Sequence, residues 1–365
     1  MARYRRYNFL MASVVMALVI TIGVIMQDVR TLNGGLTRIG GYLESDYGPR
    51  LPDTVFEPSL FDMTRSLAGY DKPFDVVVYG DSFSTSTRRG WANTLAARTG
   101  LSILVIHWSA APLKRVLASP IFRSDPPRLL ILQTVERAAI RRLVRIDRLY
   151  QRAEHDAIGA SLSGKVPDTI PVESSEAVTQ VAARSPLSWS RRVEIAVGYA
   201  RKSLLREALG INTTRVVKVR ITQPALFSHR AQDFMLLLDT DWDKQAVTTD
   251  EIVSARRGLE RLRQDVEANG ITHFRAMIFP DKLTCYGPYL EDPDLRCSSV
   301  IPRLEQAGGS DLIRIDKPLV AAIERGVVDV YYPHDTHTSA IGYKIAADYA
   351  FDHLVAAGVF EVTRD

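Results

Sequence analysis

Two short segments carry residues suited to acyl-transfer chemistry. Residues 76–84 read Val-Val-Val-Tyr-Gly-Asp-Ser-Phe-Ser, and residues 334–343 read His-Asp-Thr-His-Thr-Ser-Ala-Ile-Gly-Tyr. A serine hydroxyl is a poor nucleophile at neutral pH. It needs a base within hydrogen-bond reach and a carboxylate that holds the base in the right tautomer. A run of apolar residues entering a sharp Gly-Asp turn would present Ser82 at the carboxyl end of a sheet strand. Asp335 and His337, two residues apart, can share one face of an extended loop and supply the carboxylate and the base. A Gly-Asp-Ser turn or an Asp-x-His loop is ordinary by itself. Their joint occurrence, each before a helix, points to a single site. His334 is expected to be exposed and outside the chemistry.

The elements needed to position these residues follow α/β logic. Asp75–Tyr79, Ile103–Trp108, Leu129–Thr134, Phe274–Phe279 and Leu312–Ile315 are short apolar runs that predict strands. Helical patterns separate them, which indicates a parallel sheet. Helices are expected over Gly90–Thr99 and Val135–Arg152. A third begins at a Thr249 or Asp250 cap and ends at Asn269-Gly270, with Ile252, Ala255, Leu259, Leu262 and Val266 on one face. A last helix over Ser339–Leu354 would bury Ile341, Ile345 and Tyr349. In the second helix Arg137, Arg141, Arg145, Arg148 and Arg152 fall three or four residues apart and form a basic stripe. This stripe is either a solvated face or a contact for an anionic polymer or lipid headgroups. Residues of about 150–215 read as a polar excursion from the sheet.

The chain has 365 residues, 46% of them hydrophobic, enough for one large core or two modest ones. Its formal charge of +4 and pI near 9.0 are mild, and no basic stretch is interleaved with stacking aromatics. Nucleic-acid binding is not expected. Arg3, Arg5 and Arg6 precede an uncharged run from Phe9 to Met26 that is long enough to cross most of a bilayer. No small-x-small cleavage site follows it. Residues 1–8 are therefore expected to be a cytoplasmic tail and 9–27 a signal anchor. Residues 28–72 read as linker and lead-in, and 73–360 as a domain outside the cytoplasmic membrane. Cys285 and Cys297 could close a short loop there as a disulfide, worth about 3 kcal/mol. No metal-ligand spacing is present, and no cofactor is expected.

The blocks Gly80-Asp81-Ser82-Phe83-Ser84 and Asp335-Thr336-His337 resemble those of the SGNH, or GDSL, hydrolase superfamily. Within it the chain is most similar to the alginate-type, DHHW-like polysaccharide O-acetyltransferases. The similarity extends to Leu130–Arg137, a strand ending in Glu136-Arg137, and to Phe279-Pro280-Asp281-Lys282 with Tyr286 and Tyr289. Residues 75–137 and 271–355 carry it. The resemblance implies an SGNH-like, flavodoxin-like three-layer sandwich with a parallel central sheet and a Ser82–His337–Asp335 triad. It also suggests Asp81, Ser109, Gln133, Arg137, Lys282 and Tyr286 as oxyanion or substrate residues. Three features depart from that pattern. The serine block precedes the others, Thr338 replaces the usual tryptophan, and Ser109-Ala110-Ala111 stands where a glycine is usual, with no G-x-N-D following. Each missing oxyanion donor would remove about 3 kcal/mol of transition-state stabilisation.

The expected function is a single-pass, periplasm-facing O-acyltransferase of the inner membrane that acetylates a secreted or cell-wall polysaccharide. Its acyl donor would be delivered by a membrane-bound acyltransferase partner, as the resemblance implies. A carbohydrate acetyl esterase using water as acceptor shares the same acyl-enzyme. A non-catalytic polysaccharide-binding or assembly protein with a disabled oxyanion hole is the alternative of a different class.

Overall fold

A computed structural model describes residues 2–28, 34–154, 169–172, 180–181, 188–308 and 311–362. Its centre is a six-stranded sheet built from β1 (Asp62–Thr64), β2 (Val76–Gly80), β3 (Ile103–His107), β4 (Leu129–Val135), β5 (His273–Phe279) and β6 (Leu312–Ile313). The order across the sheet is β6-β5-β4-β2-β3-β1, and every pairing is parallel. Without the edge strand β1, this is the 2-1-3-4-5 order of flavodoxin-type doubly wound sheets. The chain reverses direction across the sheet between β2 and β4. A crevice opens there at the carboxyl ends of the strands, and Ser82 lies just past the end of β2.

Strands buried on both faces must be apolar throughout. Val76, Val78, Ile103, Val105, Leu129 and Ile131 pack on one side, with α4 (Trp91–Thr99) and α9 (Ala340–Ala356). Val77, Tyr79, Leu104, Ile106, Leu130 and Leu132 pack on the other, with α5 (Glu136–Glu154) and α7 (Thr249–Glu267). The face of α7 expected from the sequence is the buried one, although its cap is Thr248, in a capping box with Glu251. In α9 the expected face is not the buried one. Ile341 is exposed, and the helix buries Tyr343, Ala346, Ala347, Ala350, Phe351 and Leu354 instead. Its alanines let α9 approach the sheet and α4 closely, which hydrophobicity alone does not reveal.

The segment read as lead-in is structured. Gly35–Gly40 forms α2, Glu44–Tyr47 forms α3, Thr54–Val55 pairs with Gln180–Val181, and β1 joins the central sheet. Ahead of them, α1 (Ala2–Asp28) contains a 24-residue stretch, Tyr4–Gln27, long and apolar enough to cross a membrane. Within the excursion, Ile170–Val172 pairs in parallel with Phe360–Val362, and Trp189–Leu209 forms α6. Residues 155–168, 173–179 and 182–187 of the excursion lie outside the described residues. Ile195 and Ala196 of α6 pack against Ile25 and Met26 of α1, and Arg192 Nε donates to the Met26 carbonyl at 3.1 Å.

Candidate active site

Ser82 is exposed in the turn after β2, and its backbone is held from below by buried polar groups. Asp81 Oδ1 accepts from the Phe83 N–H at 3.1 Å, and Oδ2 accepts from the Val135 N–H at 2.9 Å and from Arg142. Gln133 Oε1 accepts from the Asp81 N–H at 3.0 Å and from Ser84 Oγ at 2.7 Å. Ser84 Oγ in turn accepts from Trp91 Nε1 at 3.1 Å. The turn is thereby tied to β4, α4 and α5 together.

The other half of the site is the loop after Tyr331. The Tyr332 N–H donates to the His337 carbonyl at 3.1 Å, and Tyr331 bridges Thr338, so residues 332–337 form a closed loop. Lys282 Nζ reaches into this loop and donates to the carbonyls of Tyr332, Pro333 and Asp335 at 2.8, 3.0 and 3.3 Å. Burial lowers its pKa to about 7. Ser339 caps α9 immediately afterwards, its Oγ accepting from the Gly342 N–H.

The two halves meet. His337 Nε2 lies 2.9 Å from Ser82 Oγ, and His337 Nδ1 lies 2.6 Å from Asp335 Oδ1. With the proton on Nδ1 shared with the carboxylate, Nε2 presents its lone pair to the serine hydroxyl, the tautomer that general-base catalysis requires. The imidazole packs on Phe83, with ring centroids 4.6 Å apart. Burial would push the Asp335 carboxyl up. The hydrogen bond and charge of His337 and the Gly35 N–H outweigh burial and hold it well below the usual carboxylate range. A carboxylate that stays ionised can stabilise the imidazolium that forms when the histidine takes the serine proton.

The other residues singled out in the sequence take supporting places. Asp81 and Gln133 are buried braces of the Ser82 turn. The Gln133 amide nitrogen is buried without an acceptor among the described residues. Arg137 lies over Phe83 and pairs with the buried Asp241 and Asp281, 3.2 Å from each. Glu136 binds the Asp281 N–H and Lys244 in the same network, so both ends of the Glu136-Arg137 step are spent inside the protein. Tyr286 is fully buried, its Oη accepting from the Tyr331 N–H at 3.3 Å, so it shapes the core behind the loop. Ser109 is exposed and engaged with His107, its Oγ 2.6 Å and its N–H 3.1 Å from His107 Nδ1. Among described groups the Ser82 N–H has no acceptor, which leaves it available to an oxyanion. Thr338 is fully buried and cannot stack on a substrate.

Two expectations are overturned. Cys285 and Cys297 are both free. The inward face of α8 (Lys282–Tyr286) points the Cys285 thiol at Tyr331 Oη, 3.9 Å away, while the Cys297 thiol faces the Ser298 carbonyl. Burial pushes the Cys285 thiol up, away from reactive thiolate. His334 is buried, stacked on Tyr332 and covered by α2 and α3, because the segment read as linker closes over it.

The sequence did not single out Arg142, Trp91, Gly35 or Glu44. Arg142 joins Asp81 to Thr134 Oγ1 and lies over the Trp108 ring, 4.8 Å from its centroid. In the sequence it is one arginine among many. Arg137, Arg141, Arg145 and Arg148 of the arginine stripe line a groove of about 1310 Å³ between α5 and residues 108–115; the Arg152 side chain lies outside the described residues. Eight cationic side chains and three carboxylates line it, and Arg137, Arg142 and Lys244 among the cations are paired with Asp241, Asp81 and Asp281 beneath it. Arg115, Arg141, Arg145 and Arg148 are exposed there and form no ion pair with a described residue.

No protein-family model, no curated protein and no solved structure matches this chain.

Proposed function

We propose that the protein is a membrane-anchored serine O-acyltransferase with an SGNH-like fold, and that it acetylates an acidic polysaccharide outside the cytoplasmic membrane. The observation that carries the reading is the continuous hydrogen-bonded line from Ser82 Oγ through His337 to Asp335, assembled from segments about 250 residues apart at the topological switch of the sheet. In the reaction His337 Nε2 takes the Ser82 proton while Oγ attacks the acyl carbonyl. The Ser82 N–H faces the developing oxyanion, and His337 returns the proton to the leaving group. A sugar hydroxyl, deprotonated by the same nitrogen, then takes the acyl group from Ser82, and His337 returns the proton to Ser82 Oγ. The apolar α1 helix supports membrane attachment, and its flanking arginines support an external catalytic domain. Donor delivery by a membrane-embedded acyltransferase partner belongs to this reading, because the acyl group must cross the bilayer.

The groove supports an acidic acceptor over water or a neutral glycan. Three of its free arginines, Arg141, Arg145 and Arg148, lie on α5, the helix whose Arg142 braces the Ser82 turn. The test gives detergent-solubilised full-length protein an activated acetyl ester together with oligogalacturonate or a neutral cello-oligosaccharide. Mass spectrometry of the sugars then reads acetyl gain. The reading predicts acetylation of the acidic sugar, lost in Ser82→Ala and strongly reduced in an Arg141/Arg145/Arg148→Gln triple variant. Acetate release with no sugar modified would instead make the protein an esterase.

A further inference from the structure

The histidine uses only one oxygen of Asp335. Oδ1 accepts from His337 Nδ1, from the Thr336 N–H at 2.6 Å and from the His337 N–H at 3.2 Å. Oδ2 accepts from a residue 300 positions away, the Gly35 N–H, at 2.7 Å. Around this bond the chain entering from α1 is wrapped tightly on the catalytic loop. The Leu36 and Thr37 N–H groups both donate to the His334 carbonyl, at 3.0 and 3.4 Å. Glu44 Oε1 accepts from the Gly34 N–H at 2.6 Å and from Thr37 Oγ1, which fixes the turn that presents Gly35. Gly34 has to be glycine, because a Cβ there would lie 1.9 Å from the His334 ring and 2.1 Å from its carbonyl oxygen. Leu36, fully buried beside Tyr42, Tyr47, Val216 and Leu236, pins the far side of the turn.

We propose that residues 34–47 form a juxtamembrane clasp that positions the catalytic carboxylate. The Gly35 N–H holds Oδ2 so that Oδ1 meets the imidazole, and Glu44 locks the turn. This rests on the Ser82–His337–Asp335 reading of the site. An Asp that could rotate about its Cβ–Cγ bond would leave the imidazole free to adopt orientations in which Nε2 misses the serine. The Gly35 N–H on Oδ2, acting with the Thr336 and His337 N–H groups on Oδ1, removes that freedom. The clasp is joined to the anchor. Lys202 of α6 donates to the Arg38 carbonyl at 3.0 Å, Arg206 donates to the Gly40 and Gly41 carbonyls at 2.8 and 3.2 Å, and α6 rests on α1. The positioning bond thus stands one helix away from the membrane-spanning segment.

The test uses full-length protein in detergent and reads kcat and KM for an activated acetyl ester, the rate at which a fluorophosphonate labels Ser82, and the melting temperature. Gly35→Pro deletes the donor and puts a ring carbon inside contact distance of Oδ2, which lies 2.7 Å from the Gly35 nitrogen, so it also pushes the carboxylate aside. Gly34 is already extended, at φ −59° and ψ 152°, and Gly35 is the first residue of α2, so the backbone accepts proline. Gly35→Ala adds a Cβ 3.1 Å from Asp335 Oδ2, a milder contact than the proline ring carbon makes, and keeps the donor. The clasp predicts that Gly35→Pro lowers kcat and the labelling rate about thirtyfold or more with KM nearly unchanged, while Gly35→Ala stays within about threefold of wild type. Glu44→Ala should lower kcat about tenfold, and Glu44→Gln, whose amide oxygen still accepts, should restore most of it. Ser82-dependent turnover indifferent to both Gly35→Pro and Glu44→Ala would overturn the clasp alone. Equal losses in Gly35→Ala and Gly35→Pro, tracking a fall in melting temperature, would reduce it to a folding contact. Wild-type protein that shows neither Ser82-dependent turnover nor labelling would overturn the clasp together with the reading beneath it.

Discussion

The Ser82 turn and the loop at 332–337 are built differently. The turn is braced by its own sheet, since Asp81, Ser84 and Gln133 lie on or beside adjacent strands and Trp91 and Arg142 on the helices that follow them. The loop at 332–337 has little sheet around it and is held from outside, by Lys282 on one side and by Gly35 on the other. A catalytic serine needs a rigid strand end, which a parallel sheet supplies anywhere along its carboxyl edge. An Asp-x-His loop needs partners brought to it from elsewhere in the chain. The first half of the site therefore belongs to the fold, and the second depends on segments that the fold has to recruit.

If that division is right, damage to the turn should cost stability first. Asp81→Asn leaves Arg142 without its carboxylate next to a buried polar cluster. It should destabilise the protein by about 3 kcal/mol, read as a lower denaturation midpoint with unchanged slope. Damage to the loop should cost catalysis more than stability. Lys282→Met removes three hydrogen bonds to the loop and should lower kcat about tenfold or more while the melting temperature changes little near pH 7.

The same lysine sharpens the comparison through pH. Its folded pKa of about 7 lies below the unfolded value of 10.5, so between those limits the unfolded chain binds the extra proton. Stability from this residue therefore rises with pH across that window and is lost as pH falls through about 7. The stability difference between wild type and Lys282→Met should shift in favour of wild type by as much as about 1.4 kcal/mol per pH unit from pH 7.5 to 9.5. A flat difference would show that Lys282 keeps its proton. The smallest effect expected is that of Trp91→Phe, which removes one neutral hydrogen bond to Ser84 and should cost about 1 kcal/mol with little change in kcat.

The contrast also explains what could be read from the sequence. The strands were legible because burial on both faces forces continuous apolar runs, and Ser82, Asp335 and His337, which the structure brings together, could be singled out because the chemistry proposed for them rests on side-chain type. Gly35 was not legible, because its contribution is a backbone N–H, and glycine advertises nothing but freedom of conformation. Glu44 was hidden in a segment with no period, and β1 in the short polar run Asp-Met-Thr at a sheet edge. The cysteine pairing failed for a related reason. Spacing gives the size of a loop but not the face of α8 on which Cys285 sits. Trp91 and Arg142 were missed because a buried hydrogen bond cannot be told from a packed ring or a solvated cation until the neighbouring strand is in place.

In the proposed reaction Ser82 carries the acyl group. Intact-mass analysis of full-length protein after exposure to an activated acetyl ester, beside Ser82→Ala and His337→Ala, tests it most directly. Wild type should show a single acetyl adduct, or steady ester turnover, and the two variants neither. An adduct or turnover that persists in Ser82→Ala, or folded wild-type protein that shows neither, would contradict it.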